Sequence, residues 1–503
     1  MKSLDSVQYL RLNKFQRAGY QISRFFTNFP SRWAARFKKL GNFFKNLFWG
    51  IVHYFQDLYK TFVHGDWKTK VSYVVMGFGS IARGQIGRGI IFLVFEIAFI
   101  LYMVLFGGSY IGQLGTLGTN TSGLVWDPTL NVYVQGYGDN SFMIMLYGVL
   151  SLFFIVAFLY TWNLNIKQNR VAEEILENNK KLATSKDDLR AMVDQDFYKT
   201  LLALPLLGIV VFTILPIVFM VLVAFTNYDA SHQPPAKLFT WVGFDNFAQF
   251  LQFGDSTYGY TFANILLWTL IWAFFATFTN YFLGMLVAML INKKGIKLKK
   301  VWRTVLVFSI AIPQFVCLLY VSKMFSTDGI VNGWLAKLGW ISEPLPFWTD
   351  ATWARVSVIV VNIWIGIPYL MLITTGILMN IPKDLYESAK IDGASPWKQY
   401  TKITLPYMLF VTGPYLLTSF VSNINNFNVI YLLTNGDPTT IYYTSGAGQT
   451  DLLITWLFAL VVDNDPNYAL ASVVGILVFL VVAILSLVVY NIIPSTKNEE
   501  DFQ

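Results

Sequence analysis

Eight runs of mainly apolar residues constrain this chain more than any motif does. They lie at about 89–107, 142–162, 201–226, 263–292, 304–322, 356–380, 407–431 and 468–493. A helix needs roughly 20 such residues to cross a bilayer. The basic residues between the runs are sorted to alternate sides. With the N-terminus placed in the cytoplasm, the inside segments hold 33 of the 37 Lys and Arg residues and the outside loops hold four. Cytoplasmic loops carry such an excess in membrane proteins. The sequence therefore predicts an all-α, polytopic membrane protein with about eight transmembrane helices and both termini in the cytoplasm.

Composition closes off other classes. Charged residues make up 13% of the chain, against about a quarter in soluble proteins. A soluble multidomain enzyme is thereby excluded. Cys317 is the single cysteine, so no intramolecular disulfide and no Cys-based metal cluster can form. His53, His64 and His232 are scattered, and no metal site is expected. Residues 1–88 carry a net charge of +12. Ahead of apolar spans, that points to a membrane surface rather than to nucleic acid. The first long apolar run starts near residue 89, too late for a cleavable signal peptide. Residues 43–63 alternate aromatic and basic positions at helical spacing. They read as a helix on the inner leaflet, or as one packed on cytosolic loops. Residues 71–88 are too short to span and are rich in glycine. They fit a re-entrant or interfacial turn. Residues 163–200, with seven basic and seven acidic side chains, read as a solvated helical linker.

Inside the spans, Glu96 is the one charge well within the apolar region. An intramembrane carboxyl is either held by a neighbouring helix or used in transport. The lack of further buried charges disfavours an ion-driven secondary transporter and a voltage sensor. Neutral polar groups do cluster. Asn362 and Tyr369 flank Gly366 and Pro368, a pair that kinks a helix either to shape a cavity or to pack it. Ser419, Ser422, Asn423 and Asn426 are spaced i, i+3, i+4 and i+7, one face of a helix. Amides and hydroxyls both donate and accept, which suits sugar hydroxyls. The alternative role is hydrogen bonding between membrane helices.

The loop 381–406, IPKDLYESAKIDGASPWKQYTKITLP, is the most specific feature. Pro382 and Asp384 suit a helix start, Gly393 its stop, and Ser395-Pro396 the start of a second helix. Glu387-Ser388-Ala389, then Gly393, then Ile403-Thr404-Leu405-Pro406 resembles the EAA–G–I–LP loop of permease subunits in type I ABC importers. The likeness extends over about residues 200–493. It looks closest to the larger permease of maltose/maltodextrin importers, to which NNFNVIYLLTNGDP (425–438) and GAGQTDLLITWLF (446–458) are also similar.

The resemblance implies a permease core over 200–496, after a basic region (1–88) and two accessory spans with a linker (89–199), and before a tail (497–503). It implies that Glu387, Ser388, Ala389, Asp392, Gly393, Ala394, Leu405 and Pro406 face an ATPase. It implies sugar contacts from Asn362, Ile365, Gly366, Tyr369, Ser419, Ser422, Asn423 and Asn426. Ser422 stands where the best-known members carry an aromatic residue. The outside segment 227–262 is far too short for the large domain of enteric members, and the glycine-rich 77–90 stretch looks like Gram-positive relatives. The expected partners are an ABC ATPase homodimer, a second permease, an extracellular sugar-binding lipoprotein and membrane lipid. No Walker A motif occurs in the chain. The implied chain binds no cofactor, is not an enzyme, and leaves ATP-Mg to its ATPase partners. The implied substrate is maltose or maltodextrin, with galacto- or arabino-oligosaccharides as alternatives.

Overall fold

The structure is a computed structural model. It describes residues 41–42, 45–136, 138–293 and 295–492. The basic run 1–40 and the tail 497–503 lie outside the described residues. The chain divides into two compact units, Met1–Ser109 with Ser151–Leu207 and Tyr110–Leu150 with Gly208–Gln503.

Among the described residues, seven helical stretches are long and apolar enough to cross a membrane: Ile86–Leu114, Ser141–Glu177, Phe197–Val223, Tyr258–Asn292, Ala351–Leu378, Pro396–Ile424 and Tyr468–Tyr490. The helices used below are α1 (Ile86–Tyr102), α2 (Ser141–Glu177), α3 (Tyr258–Asn292), α4 (Lys299–Ala311), α5 (Gln314–Met324), α6 (Ala351–Leu378), α7 (Lys383–Ile391), α8 (Pro396–Gln399), α9 (Leu405–Ile424), α10 (Phe427–Leu433), α11 (Leu453–Val462) and α12 (Tyr468–Ile492).

The expected span at 304–322 is not one helix. It breaks between α4 and α5 because Pro313 forces Ile312 out of the helical region, to ψ 129°. The pair still has to return the chain across the membrane. A Cβ on Gly284 of α3 would touch Leu370 of α6, and a Cβ on Gly366 of α6 would touch Asn280 of α3. Moving one turn along α3 therefore moves one turn the same way along α6, so the two helices run parallel. Parallel neighbours need an odd number of crossings between them, and α4–α5 is the chain available. The expected eight crossings are thus seven continuous spans and one broken one.

Prolines elsewhere are absorbed differently. Wide π-helical turns at Val210–Ile214 and Tyr400–Thr404 precede Leu215-Pro216 and Leu405-Pro406. The extra residue makes room for a ring that otherwise clashes one turn back. The segment 108–141 adds a two-stranded antiparallel hairpin, Gly123–Asp127 with Val132–Gly136.

In the first unit, residues 67–85 form two short helices and tight turns stitched to their neighbours by side chains. Asn165 on α2 accepts from Gly77 N at 3.0 Å and donates to Ser72 O at 2.9 Å. Arg83 is buried against Asp66, Thr69 and Asn169. Glu96 accepts from the Met76 N–H at 2.8 Å. Its carboxyl therefore holds the tip of this turn. Glu96 lies ten residues into α1, which puts that tip about 15 Å along the helix. These side chains pair backbone groups of the turn that would otherwise be left unmet away from water. Residues 45–64 are helical. His53, Asp57 and Thr61 face Asn163 and Arg170 of α2, while Phe48, Phe55 and Tyr59 are exposed.

Candidate functional site

The polar groups inside the second unit converge on α3, a helix that sequence reading had passed over as plain span. Its buried side sets small and polar residues, Ala273, Ala276, Thr277, Asn280 and Gly284, among bulkier ones such as Trp272, Tyr281 and Met285. Small residues let membrane helices approach closely. At Gly284 a Cβ would lie 2.7 Å from Leu370 Cβ and 3.1 Å from Met371 N. At Gly366 it would overlap the Asn280 side-chain amide. Gly366 is therefore a close-approach glycine, the packing alternative of its two expected roles.

Asn362 is buried on α6, Ile365 and Gly366 are half-buried, and Tyr369 is exposed. Asn280 reaches this group: its Nδ2 donates to Ala276 O at 2.8 Å and lies 3.5 Å from Asn362 O. One turn earlier on α3, Thr277 Oγ1 accepts from Asn423 Nδ2 at 3.0 Å. Trp272 Nε1 donates to Asn423 O at 3.1 Å. Asn426 Nδ2 in turn donates to Asn423 Oδ1 at 3.3 Å. The α6 set and the α9 set thus meet through Thr277 and Asn280, at i and i+3 on α3.

The single-face geometry expected for Ser419, Ser422, Asn423 and Asn426 does not hold. The helix ends at Ile424, and Asn426 caps α10 by accepting from Val429 N. Asn425 takes φ −100° and ψ 23° between the two helices. Asn is a good N-cap, so the residue type that suggested a polar face serves the break instead. Ser419 is half-buried and Ser422 is exposed. Thr277, Asn280 and Trp272 were missed. The signal was the 3–4 spacing of Thr, Asn and Gly within an otherwise apolar run.

The loop 381–406 folds as its residues dictate. α7 ends in a Schellman motif: Gly393 takes φ +72°, its N–H bonds Lys390 O, and Ala394 N bonds Ala389 O at 2.8 Å. Ser395 then caps α8, with Pro396 first in the helix. Glu387, Ser388, Asp392 and Gly393 are exposed, Ala389, Ala394 and Leu405 are half-buried, and Pro406 is exposed. Ile391 is 87% and Trp397 72% exposed. Apolar side chains this bare on a capped, rigid helix pair suit insertion into a partner's groove. Tyr386 OH and Thr404 Oγ1, 2.8 Å apart, tie α7 to the base of α9. α9 in turn carries Asn423, so one helix joins the α7–α8 pair to the polar seam.

The loop after α10 closes on Asp451, which is 5% exposed. It accepts from Gly448 N at 2.8 Å and Thr455 Oγ1 at 2.7 Å. Burial pushes its carboxyl up to about 6, against those hydrogen bonds and with help from Asp437. Among the described residues, no group of three or more His, Cys, Asp or Glu side chains is arranged to hold a metal ion.

Residues 280–498 match the family described as "Binding-protein-dependent transport system inner membrane component". The chain is 33% identical to the maltodextrin transport system permease protein MdxF of Bacillus subtilis, over 85% of this chain and 95% of that protein. It is 35% identical to the galactooligosaccharides transport system permease protein GanP of the same organism, over 72% of this chain and 85% of that protein. Among solved structures, it is similar in fold to a chain from a bacterial alginate ABC transporter in complex with an alginate pentasaccharide-bound periplasmic protein. That likeness has a TM-score of 0.50 and 23% identity, over 61% of this chain and 97% of that one.

Proposed function

The chain belongs to the inner-membrane components of binding-protein-dependent transport systems, and from that premise we propose that it passes maltodextrin through an ABC importer. It is a multi-pass permease subunit and not itself an enzyme. The observation that carries the substrate is its similarity to a maltodextrin permease along 95% of that protein's length. The match to a galactooligosaccharide permease covers less of both chains. The seam of Thr277, Asn280, Asn362, Asn423 and Asn426 supports this reading, because it is built of neutral donors and acceptors.

In this account an ATPase homodimer binds ATP-Mg and receives α7 and α8, with Ile391 and Trp397 as anchors. Glu387, Ser388, Ala389, Asp392, Gly393 and Ala394 line that contact, and Leu405 and Pro406 begin the helix that carries the motion. Closure of the ATPase dimer displaces α7. The Tyr386–Thr404 bond passes the displacement to α9, and α9 is about 30 Å long from its 20 residues. Asn423 at its far end then shifts against Thr277. The path, lined also by Ile365, Gly366, Tyr369, Ser419 and Ser422, alternates between its outer and inner openings. This is a coupling between two sites through a rigid element. A second permease completes the path, and an extracellular binding lipoprotein delivers the sugar. The chain sits in the plasma membrane of a Gram-positive bacterium, with both termini in the cytoplasm.

The test is reconstitution with candidate ATPase, second permease and binding protein. ATP hydrolysis should rise when the binding protein carries maltodextrin. Hydrolysis that responds to galactooligosaccharide and not to maltodextrin would overturn the substrate.

A further inference from the structure

The helix over 45–64 has two sides that meet different surroundings. Phe48, Phe55, Tyr59 and Phe62 are spaced i, i+7, i+11 and i+14, which is one face of a helix. Among the described residues that face is bare: Phe48 and Phe55 are each 63%, Tyr59 70% and Phe62 44% exposed. The opposite side carries Asp57, Lys60, Thr61 and His64, spaced i, i+3, i+4 and i+7. These four line a groove shared with Arg170 and Glu173 of α2. Tyr73 fixes the helix in this rotation. Its hydroxyl donates to Leu58 O at 2.8 Å, and its ring meets Phe62 edge-on, with centroids 5.2 Å apart.

A helix on a water-exposed surface turns its apolar stripe to the protein and its charges outward. Here the charges line the groove and the rings point away from it. A bare apolar patch of this kind marks an interaction site. Continuity with a membrane span identifies the partner. The patch passes along the chain to Val74, 77% exposed, and Val75. Met76 follows, and its N–H donates to Glu96 of α1 at 2.8 Å. α1 lies within a stretch long and apolar enough to cross a membrane, and its Ile90, Ile91 and Val94 are bare as well. Residue type adds a second argument. Trp49, Tyr59 and Trp67 are all exposed, and such rings, apolar with one polar atom, settle where a bilayer meets water.

We propose that the helix over 45–64 is an interfacial anchor, with Phe48, Phe55, Tyr59 and Phe62 entering the lipid and Asp57, Lys60 and His64 remaining in the aqueous groove. Lipid, rather than a neighbouring loop, is the partner of the apolar face. The first unit is thereby held to the membrane by a surface helix in addition to its spans. This anchor is independent of which sugar is carried.

Spin labelling of the full chain in phosphatidylcholine–phosphatidylglycerol nanodiscs tests it. In a Cys317→Ser background, single nitroxides are placed by Phe55→Cys and Tyr59→Cys on the apolar face and by Lys60→Cys on the polar side. Ile91→Cys on α1 is the lipid reference. Collisions with oxygen, which concentrates in lipid, are compared with collisions with a water-soluble nickel chelate. The oxygen-to-nickel ratio at positions 55 and 59 should match position 91 and exceed position 60 several-fold. Equal, nickel-rich ratios on both sides would place the helix in water and overturn the anchor. Shielding of positions 55 and 59 from both reagents would also overturn it, since protein would then cover the face. Should Phe55→Cys fail to insert, Phe48→Cys reads the same face.

Discussion

Gly284→Ala is the sharpest test of the helix pair on which the polar seam is built. The added Cβ would lie 2.7 Å from Leu370 Cβ, 3.1 Å from Met371 N and 3.2 Å from Leu370 C. Carbon atoms rest comfortably at about 3.5–4.0 Å. The helices must therefore part by about 1 Å at this crossing. Two of the three obstructing atoms are backbone, and Leu370 and Met371 are both buried. No side chain can swing aside to relieve the overlap. Overpacking costs about 1–3 kcal/mol; overlap with unyielding backbone takes the upper part of that range, about 2–3 kcal/mol, and a methyl added inside a helix returns about 1 kcal/mol. The expected net loss is about 1–2 kcal/mol. Gly376→Ala on α6 is the internal control, because its Cβ would meet nothing within 4 Å. It should be neutral or stabilising by up to about 1 kcal/mol. The assay is thermal unfolding of the isolated chain in lipid nanodiscs. Gly284→Ala should melt a few degrees lower, and Gly376→Ala at or above wild type. Equal melting of wild type and Gly284→Ala, or an equal fall in both variants, would refute the close crossing.

Three further outcomes follow from the same geometry. Gly393→Pro cannot adopt φ +72° and loses the N–H that bonds Lys390 O; ATP hydrolysis should uncouple from uptake while membrane insertion stays intact, as read by parallel uptake and hydrolysis assays. Asn423→Leu removes the bonds to Thr277 and Asn426, so both the melting temperature and maltodextrin uptake should fall; unchanged uptake with lowered melting would leave Asn423 as interhelical support only. Asp451, with its carboxyl at about 6, holds its proton more tightly folded than unfolded. Its contribution to stability should therefore be fully present below about pH 4 and be lost as pH rises through about 6, by roughly 3 kcal/mol in all. Asp451→Asn should flatten that profile in unfolding measurements from pH 4.5 to 7.

Length and apolarity made the spans legible, and the glycine stop and serine cap made the α7–α8 pair legible, because each rests on local backbone chemistry. Breaks within spans were harder to read. Pro313 ends a helix, yet Pro368 and Pro414 lie inside α6 and α9. Neighbouring helices decide which prolines are tolerated, and a single sequence does not display them. Asn426 looked like part of a polar face and is a cap, since the same amide does either job. Thr277 and Asn280 carried a visible spacing signal, but their importance comes from α6 and α9 lying against α3. Gly366 was legible as a special position, and only the structure set the Asn280 amide beside it.

Sugar uptake into proteoliposomes tests the central claim most directly. Vesicles holding the complete complex would be loaded with ATP on the ATPase side, given liganded binding protein outside, and treated with ionophores that collapse proton and sodium gradients. Maltodextrin should accumulate only when ATP is present, whether or not the ionophores are added. Uptake that persists without ATP and stops when the gradients collapse would contradict it, and would make the chain an ion-coupled transporter.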